Sequence, residues 1–404
     1  GILLNDIDIR KLEFSSTNNF SFNINKKFKL NDLKVESIID LAEVTFFEKR
    51  LNLKHYLPNF KEEIKFENHK IKIDYNKDKL NIFGNGNIFL TDRSEQLSYD
   101  IKKNNKEFLF NCNLIIKNNP LIIKFLDYEK KEGNNSIISI NGNLKKNGSI
   151  KFKSISLKEN KNKILIKDLE LSQTYKIVDI GSINIDYKNN KNIHNKLDLN
   201  KNSSNFVLEG ESFDATKFIN NLIAKDKEGP SIFKKLNTNI EINIKKTYID
   251  KINYINNLSG YLSFKDNEIK NLELVSFFPN KKKINLAINT NDSMETTTSL
   301  STDYPKPLIK RYNFIKGFEG GYLNFNSVKK DNISKSLLII DNFKVQEVPV
   351  LAKLLSLASL QGIADILTGE GVRFTDLEMK FSNQKNLITI EEMYAIGPAV
   401  SILM

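Results

Sequence analysis

The sequence predicts an all-β fold with a minor helical element: an elongated, strongly curved antiparallel sheet that forms an apolar groove. Apolar and polar residues alternate with period two from Ile2 to about Ile340, as expected for strands with one buried face. The connections between these runs are short and rich in Asn, Lys and Gly. Only one long run, near the C-terminus, has the composition of a helix.

The clearest alternating runs supply twenty apolar positions that we expect to line the groove. Lys, Asn, Asp and Ser stand between them, so each strand has one dry and one wet face. The twenty groove candidates are Ile82, Ile88, Phe110, Leu114, Ile138, Ile140, Ile150, Phe152, Ile164, Ile166, Ile183, Ile185, Phe206, Leu208, Ile240, Ile242, Ile244, Ile284, Leu286 and Ile288.

Local signals indicate how the strands connect. Asn147-Gly148 between two alternating runs predicts a β-hairpin with a type I′ turn, and hence a meander of antiparallel neighbours. Apolar spacing changes from two to three between Phe152 and Ile155 and between Ile166 and Leu169, which predicts β-bulges that curve the sheet.

Two short helices are also predicted, near 35–50 and 216–223. Asp214 is a reasonable N-cap for the second.

The predicted sheet has more dry surface than the chain can cover. Open twisted sheets rarely exceed about ten strands without curling or splitting. The sequence supplies almost no amphipathic helices to cover the dry face. A curled sheet whose apolar trough holds acyl chains from outside resolves this mismatch.

The predicted C-terminal helix covers about 349–367. Pro349 lies in its first turn, and Lys353, Ser356 and Ser359 form a narrow polar stripe. The run is too polar to span a membrane. It is either a plug packed on the end of the sheet or a movable element that touches lipid at the mouth of the trough. Its apolar contact candidates are Leu351, Leu354, Leu355 and Ala358.

We expect two domains, a groove over 1–343 and a C-terminal region over 344–404 with the helix and closing strands. We also expect the chain to be a fragment of a longer polypeptide, with any membrane anchor outside it.

The C-terminal residues resemble a known family. The segments that carry the resemblance are Phe343-Lys-Val345, Val348-Pro349-x-Leu351-Ala352-x-Leu354-Leu355-Ser356-x-Ala358-Ser359-Leu360-x-Gly362, Leu367-x-Gly369-x-Gly371-Val372 and Ala395-x-Gly397-Pro398-Ala399. They are similar to the C-terminal region of the AsmA-like family of bacterial envelope proteins (the AsmA/YhdP/TamB group), over about 313–404. The resemblance implies a Gram-negative periplasmic protein anchored to the inner membrane. It also implies phospholipid transport between inner and outer membranes, or outer-membrane lipid homeostasis, with both membranes or their proteins as partners.

Composition argues against several other classes. The net charge is +12, yet Lys is spread evenly and never interleaves with aromatics in a basic cluster, so no nucleic-acid partner is expected. The single cysteine, Cys112, excludes an internal disulfide and is expected to be a buried structural thiol.

The sequence contains no recognisable catalytic or metal-binding motif. His55, His69 and His194 have no metal-ligand spacing and are expected to be exposed. Gly84-Asn85-Gly86 is expected in a strand rather than in a nucleotide-binding loop. The chain is therefore expected not to be an enzyme and to bind neither metal nor cofactor.

Two alternatives stay open from the sequence. One is a scaffold or assembly factor for outer-membrane proteins that binds their strands by edge pairing. The other is a β-solenoid surface protein or polysaccharide enzyme, which would need parallel rungs of regular period.

Overall fold

The structure is a computed structural model that describes residues 8–47, 53–77, 79–104, 107–217, 219, 237–265, 268–312, 315–346, 371–384 and 387–404. The described residues are nearly all in β-strands, so the predicted all-β class is confirmed. The chain divides into two compact units, Gly1–Lys201 and Asn202–Met404.

The first unit is an antiparallel meander with one insertion. Each main strand pairs with the next, and the short β7 and β8 form a separate two-stranded sheet between β6 and β9. The strands are β1 Asp8–Ile24, β2 Leu30–Phe47, β3 Glu63–Asn76, β4 Lys79–Phe89, β5 Ser94–Asn104, β6 Glu107–Ile116, β7 Leu121–Ile123, β8 Tyr128–Lys130, β9 Ser136–Leu144, β10 Ile150–Glu159, β11 Asn162–Leu171, β12 Ile177–Asp179, β13 Ser182–Lys188 and β14 His194–Asn202.

The second unit is a meander that starts with one parallel pair. β15 and β16 are parallel, and every later neighbouring pair is antiparallel. The elements are β15 Asn205–Asp214, β16 Thr238–Tyr248, β17 Tyr254–Lys265, β18 Glu268–Phe277, β19 Lys283–Thr290, β20 Thr296–Thr302, helix α1 Lys306–Tyr312, β21 Phe318–Lys330, β22 Ile333–Val345, β23 Val372–Gln384, β24 Leu387–Ile396 and β25 Ser401–Leu403.

The strand pairing decides one alternative. A β-solenoid requires parallel rungs, and the described strands pair antiparallel in both units apart from β15 with β16. The solenoid fold is therefore wrong for this chain. Neither unit closes into a barrel within its described residues, because no pairing joins its first strand to its last.

The predicted bulges are confirmed. β10 carries an extra residue between Phe152 and Ser154 relative to β9. In β11, Asp168 adopts a positive φ of 52° between Ile166 and Leu169. Both irregularities restore the phase of the apolar positions, so side chains before and after them share one face.

The predicted hairpin at Asn147-Gly148 joins β9 to β10, but its turn is not type I′. Only Gly148 has a positive φ, at 82°. The loop closes over a wider span, since Lys145 and Ser149 are joined by a backbone hydrogen bond of 2.9 Å and Asn147 Oδ1 accepts from the Ser149 amide. A loop of this length needs one left-handed residue, not two.

The helix predicted near 35–50 is wrong: β2 occupies most of this range. Its apolar residues Val35, Ile39 and Leu41 follow the alternation of a strand and pair with β3. The second short helix does begin at Thr216, where Asp214 Oδ1 accepts from the Thr216 amide at 3.0 Å. Lys217 and Ile219 are also helical, and the Ile219 amide donates to the Ala215 carbonyl at 2.8 Å. The rest of this predicted helix and the C-terminal helix at 349–367 lie outside the described residues.

The larger of two buried clusters in the second unit lies in its C-terminal strands; the smaller consists of Ile249, Ile255 and Phe278. Ile340 and Phe343 of β22 pack with neighbours on β21 and β23, and Ile309 of α1 packs against this larger cluster. The predicted boundary at 343/344 falls inside β22 and stays a prediction.

Candidate functional site

The register of the first unit builds a continuous apolar face, which we call the first dry face. Side chains of directly opposite residues in antiparallel strands project from the same face, so each paired row can be followed across the sheet. The central row runs through Ile39, Ile71, Gly84, Tyr99, Cys112, Ile140, Ile155, Ile166, Ile183 and Leu199.

Two flanking rows are equally apolar. One runs through Ile73, Ile82, Ile101, Phe110, Gly142, Phe152 and Leu169. The other runs through Gly86, Leu97, Leu114, Ile138, Leu157, Ile164, Ile185 and Leu197. Ten of the twelve groove candidates of this unit lie in these rows. Ile88 and Ile150 alternate with Gly86 and Phe152 in their strands, so all twelve lie on one face.

These side chains are only partly covered. Ile88 and Ile185 are buried, whereas the other ten candidates of the first unit are half-buried. The opposite face is mainly polar, with exposed apolar side chains such as Phe83 and Leu109 among its polar residues. Its polar groups bond to one another: Ser139 Oγ donates to Asn113 Oδ1 at 2.7 Å, and Asn143 Nδ2 donates to Glu107 Oε2 at 3.0 Å. The sheet thus has one face suited to water and one suited to hydrocarbon.

Aromatic rings fill the gaps that glycines leave in the first dry face. A Cβ at Gly84 would lie 2.3 Å from the ring of Tyr99, its cross-strand partner. A Cβ at Gly142 would lie 2.9 Å from the ring of Phe110, which meets Phe152 edge-on at 5.9 Å. The glycines let these rings lie flat over the backbone, so the surface stays apolar without protrusions.

The insertion between β6 and β9 closes one end of the first dry face. Ile116, at the end of β6, and Tyr187, at the end of β13, are both 1% exposed, as is Tyr128 of the insertion. The rings of Tyr128 and Tyr187 meet at 5.6 Å in a T-shaped pair. The rows nearest this end are therefore covered by protein, unlike the rows farther along the strands.

A buried polar network holds this insertion in place. Glu95, which faces the same side as Ile88, accepts hydrogen bonds from the backbone amides of Lys117, Asn118 and Asn119 at 2.8–2.9 Å. Lys130 is fully buried and donates to the carbonyls of Lys117 and Asn119 at 2.9 and 2.6 Å. Burial lowers the pKa of Lys130, and nearby carboxylates, Glu95 first, oppose that shift.

Tyr128 anchors the insertion to the sheet. Its hydroxyl donates to Glu159 Oε2 at 2.6 Å. Burial, and secondarily this hydrogen bond, raises the pKa of Tyr128 far above its usual range. The hydroxyl therefore keeps its proton and donates it in the hydrogen bond to the Glu159 carboxylate.

The second unit has its own apolar face, the second dry face. One row runs through Phe206, Ile240, Leu262, Leu272, Ile288 and Thr298. The next runs through Leu208, Ile242, Gly260, Leu274, Leu286, Leu300, Phe325, Leu338, Met379 and Met393. The eight candidates of this unit share the face; Phe206 and the three isoleucines of β16 are buried, and the rest are half-buried.

A depression of about 350 Å³ lies over strands β18 to β21. Four consecutive members of one row, Leu274, Leu286, Leu300 and Phe325, line it. The rest of its lining comes from the residues directly before and after them, which project from the opposite face: Glu273, Val275, Asn285, Ala287, Ser299, Ser301, Asn324 and Asn326. It is open to the outside, and its volume is at the lower end of the range for small-molecule sites.

Gly260 allows β17 and β18 to approach beside this depression. Its φ is 151°, and a Cβ there would lie 1.8 Å from the carbonyl oxygen of Glu273. Any side chain at this position would push apart the two strands that carry Leu262 and Leu274.

The remaining candidates from the sequence are placed as follows. His55 and His194 are exposed as expected, but His69 is 1% exposed, so the expectation for it is wrong. A bulge at Asn68 turns the His69 ring inward, so that it lies over Gly86. Cys112 is half-buried on the first dry face, and burial raises the pKa of its thiol. Leu351, Leu354, Leu355 and Ala358 lie outside the described residues.

Sequence reasoning missed several residues of these faces. Tyr99 and Leu300 both belong to rows of these faces; Tyr99 alternates regularly with Leu97 and Ile101, whereas Leu300 is the one large apolar residue of β20. Glu95 and Lys130 were missed because an isolated charge carries no sign of burial in sequence. Pairing each strand against the clear rows of its neighbour is the signal that would have found Tyr99 and Leu300.

Comparisons with family models, with curated proteins and with solved structures found no match to this chain. Among the described residues, no group of three or more His, Cys, Asp or Glu could hold a metal ion. No helix in the described part of the chain is long and apolar enough to cross a membrane.

Proposed function

We propose that this chain carries phospholipid acyl chains along its dry faces, in transport between the inner and outer membranes of a bacterial envelope or in outer-membrane lipid homeostasis. The observation that carries the proposal is that each unit has an accessible apolar row across many strands. Its side chains, such as Ile140 in the first unit and Leu286 in the second, are half-buried. The resemblance of the C-terminal residues to the AsmA-like family supports the periplasmic setting.

Each methylene kept out of water contributes about 0.8 kcal/mol, so an acyl chain gains from lying along a row such as Ile140, Ile155 and Ile166. The sheet needs no chemical step to do this, and its polar outer face keeps the loaded protein in water. The mechanism is passive, and the lipid headgroup stays in solvent at the rim.

A cation stands at the open end of the first dry face. Lys103 pairs with Leu80 and Phe108 in the row farthest from the closing insertion, and its ammonium lies 5.6 Å from the Phe108 ring centroid. A phosphate at this rim would meet a positive charge while its acyl chains continue onto the apolar rows. Lipid is thus expected to lie with its headgroup toward Lys103 and away from the insertion.

The direct test is lipid retention by neighbouring variants on opposite faces. Phe110 points into the first dry face, whereas Leu109, its neighbour in sequence, is 42% exposed on the outer face. We expect wild-type protein and Leu109→Asp to co-purify with phospholipid, measured by mass spectrometry of extracted lipid, and Phe110→Asp to lose most of it. Circular dichroism checks that both variants keep their strand content.

Equal retention by Phe110→Asp and Leu109→Asp would contradict the proposal for the first unit. Leu286→Asp tests the second unit in the same way, with the outward-facing Tyr261→Asp as its control. If purified protein binds no phospholipid but captures unfolded outer-membrane protein strands, the scaffold alternative replaces transport.

A further inference from the structure

The depression over β18 to β21 lies on the outer face of the second unit, the face opposite the second dry face. Its outward-facing lining residues form two complete rows, one through Ala287 and one through Ser301. Only one row of the second dry face lines it, and that row passes between the two outward rows. A hollow over the dry face would also touch the next dry row, through Leu272 and Ile288, which is not part of its lining.

The depression has a floor of small side chains and polar walls. Ala287 and Ser299 pair directly with each other, and their short side chains leave the hollow. No lysine, arginine or histidine belongs to the lining. The site therefore offers hydrogen bonds to a ligand but no positive charge. Around the floor stand Val275 and the polar residues Glu273, Asn285, Ser301, Asn324 and Asn326.

Several hydrogen-bonding groups of this lining are available to a ligand. Ser299 and Asn326 are exposed and have no hydrogen-bond partner among the described residues. Asn285 Nδ2 donates to Ser301 Oγ at 3.2 Å, which leaves the Asn285 side-chain carbonyl as an acceptor and the Ser301 hydroxyl as a donor. Donors and acceptors thus lie together within one small area.

Two exposed tyrosines flank the depression on the same face. Tyr261 pairs with Glu273 and is 42% exposed. Its hydroxyl hydrogen-bonds to the Glu273 carboxylate, which raises the pKa of Tyr261. Tyr322 is 37% exposed, and its hydroxyl donates to Asn324 Oδ1 at 3.4 Å. Each tyrosine places an apolar ring beside hydrogen-bonding groups.

We propose that this depression binds a neutral saccharide. Sugar rings carry hydroxyls at their edges, which donate and accept as the asparagine and serine side chains require, and Glu273 accepts from them. The C–H face of a ring packs on the ring of Tyr261 or on Ala287. A phosphorylated ligand is disfavoured, because it would meet a carboxylate and no cation. The volume of about 350 Å³ suits a short saccharide.

Isothermal titration calorimetry of the full chain tests the ligand class. The probes are neutral tetrasaccharides of glucose and of N-acetylglucosamine, with glucose 6-phosphate as the charged counterpart. We expect at least one neutral probe to bind with a Kd below about 1 mM, and glucose 6-phosphate to bind at least about tenfold more weakly. No binding by any neutral probe at about 10 mM, or equal binding of glucose 6-phosphate, overturns the proposal.

Variants of outward-facing residues test the location. Ala287→Leu fills the floor and should weaken binding at least about tenfold. Asn326→Ala removes an unpartnered amide and should weaken it about threefold to tenfold. The controls are Asn289→Leu and Val328→Ala, on the same face of the same strands but outside the depression, and both should keep wild-type affinity.

Urea denaturation checks that each variant is folded. Equal affinities of Ala287→Leu and Asn289→Leu, or of Asn326→Ala and Val328→Ala, overturn the location. The inference is independent of lipid binding: protein that binds a saccharide but retains no phospholipid would leave it standing and contradict only the proposed function.

Discussion

The imidazole of His69 occupies the space above Gly86, where an added Cβ would lie 2.3 Å from Cδ2 of the ring. Because Nε2 donates to the carbonyl of Asn87 at 3.0 Å, the neutral ring leaves Nδ1 unprotonated. Nδ1 is buried and has no hydrogen-bond partner among the described residues. The ring also meets Phe66 and Tyr99, so its surroundings are apolar.

The first prediction concerns pH. Burial lowers the pKa of His69, opposed by its bond to Asn87, so the folded state binds fewer protons than the unfolded state at this site. Its contribution to stability is present above the ordinary histidine pKa of about 6.5 and is lost as pH falls through the lowered folded-state pKa.

We expect the free energy of unfolding, measured by urea denaturation, to fall between about pH 7 and 5, and His69→Phe to flatten this fall. His55→Gln, at an exposed site, should keep the wild-type profile. An unchanged pH profile in His69→Phe would show that other groups cause the fall.

The second prediction concerns backbone geometry at Gly260. Gly260→Ala should destabilise the second unit by about 3 kcal/mol or more, because a positive φ and a Cβ against the Glu273 carbonyl act together. Gly133→Ala has a positive φ of 85° but open space, so we expect a loss of only about 1 kcal/mol. Urea denaturation of both variants measures the difference, and similar losses would refute the close approach of β17 and β18.

The third prediction concerns the closing insertion. Tyr128→Phe removes the hydroxyl that donates to Glu159 and should cost about 1–3 kcal/mol, since the buried carboxylate loses one of its donors. Tyr175→Phe, at a side chain 61% exposed, should change stability by less than about 0.5 kcal/mol. Thermal denaturation distinguishes them, and a neutral Tyr128→Phe would mean that the hydroxyl is not a buried donor.

The fourth prediction concerns the core of the second unit. Ile340 is fully buried in β22, whereas Ile333 in the same strand is 42% exposed. Ile340→Ala should lower the free energy of unfolding by about 2–5 kcal/mol through the cavity it leaves. Ile333→Ala should lower it by less than about 0.5 kcal/mol. Equal effects would place Ile340 outside the core.

Much of this fold could be predicted because strand periodicity is a local signal. The alternation at Ile138 and Ile140, and the phase change after Phe152, put all groove candidates of a unit on one face without knowledge of pairing. The same signal failed at 35–50, where consecutive apolar residues such as Ile38 and Ile39 obscured the strand period. Both faces of β2 carry apolar residues, and Ile38 is 57% exposed.

The features that depend on distant contacts could not be predicted. His69 is buried because of the bulge at Asn68 and because Gly86 has no side chain. Its hydrogen bond goes to Asn87, which is eighteen residues away in sequence. The positions of Glu95 and Lys130 follow from an insertion that folds back over the sheet. Neither the burial of His69 nor that of Glu95 and Lys130 leaves a periodic pattern in the sequence, so only the three-dimensional structure reveals them.

The parallel pairing of β15 with β16 has a kinetic consequence. Antiparallel neighbours joined by a tight turn form hairpins within microseconds. A parallel pair such as β15 and β16 needs a longer crossover connection, which must return to the starting end of the first strand before the two can pair. The search for this pairing carries a larger loop-closure entropy than any hairpin beside it. The strands from β16 onward are therefore expected to assemble first, and the docking of β15 to set the slow phase of refolding.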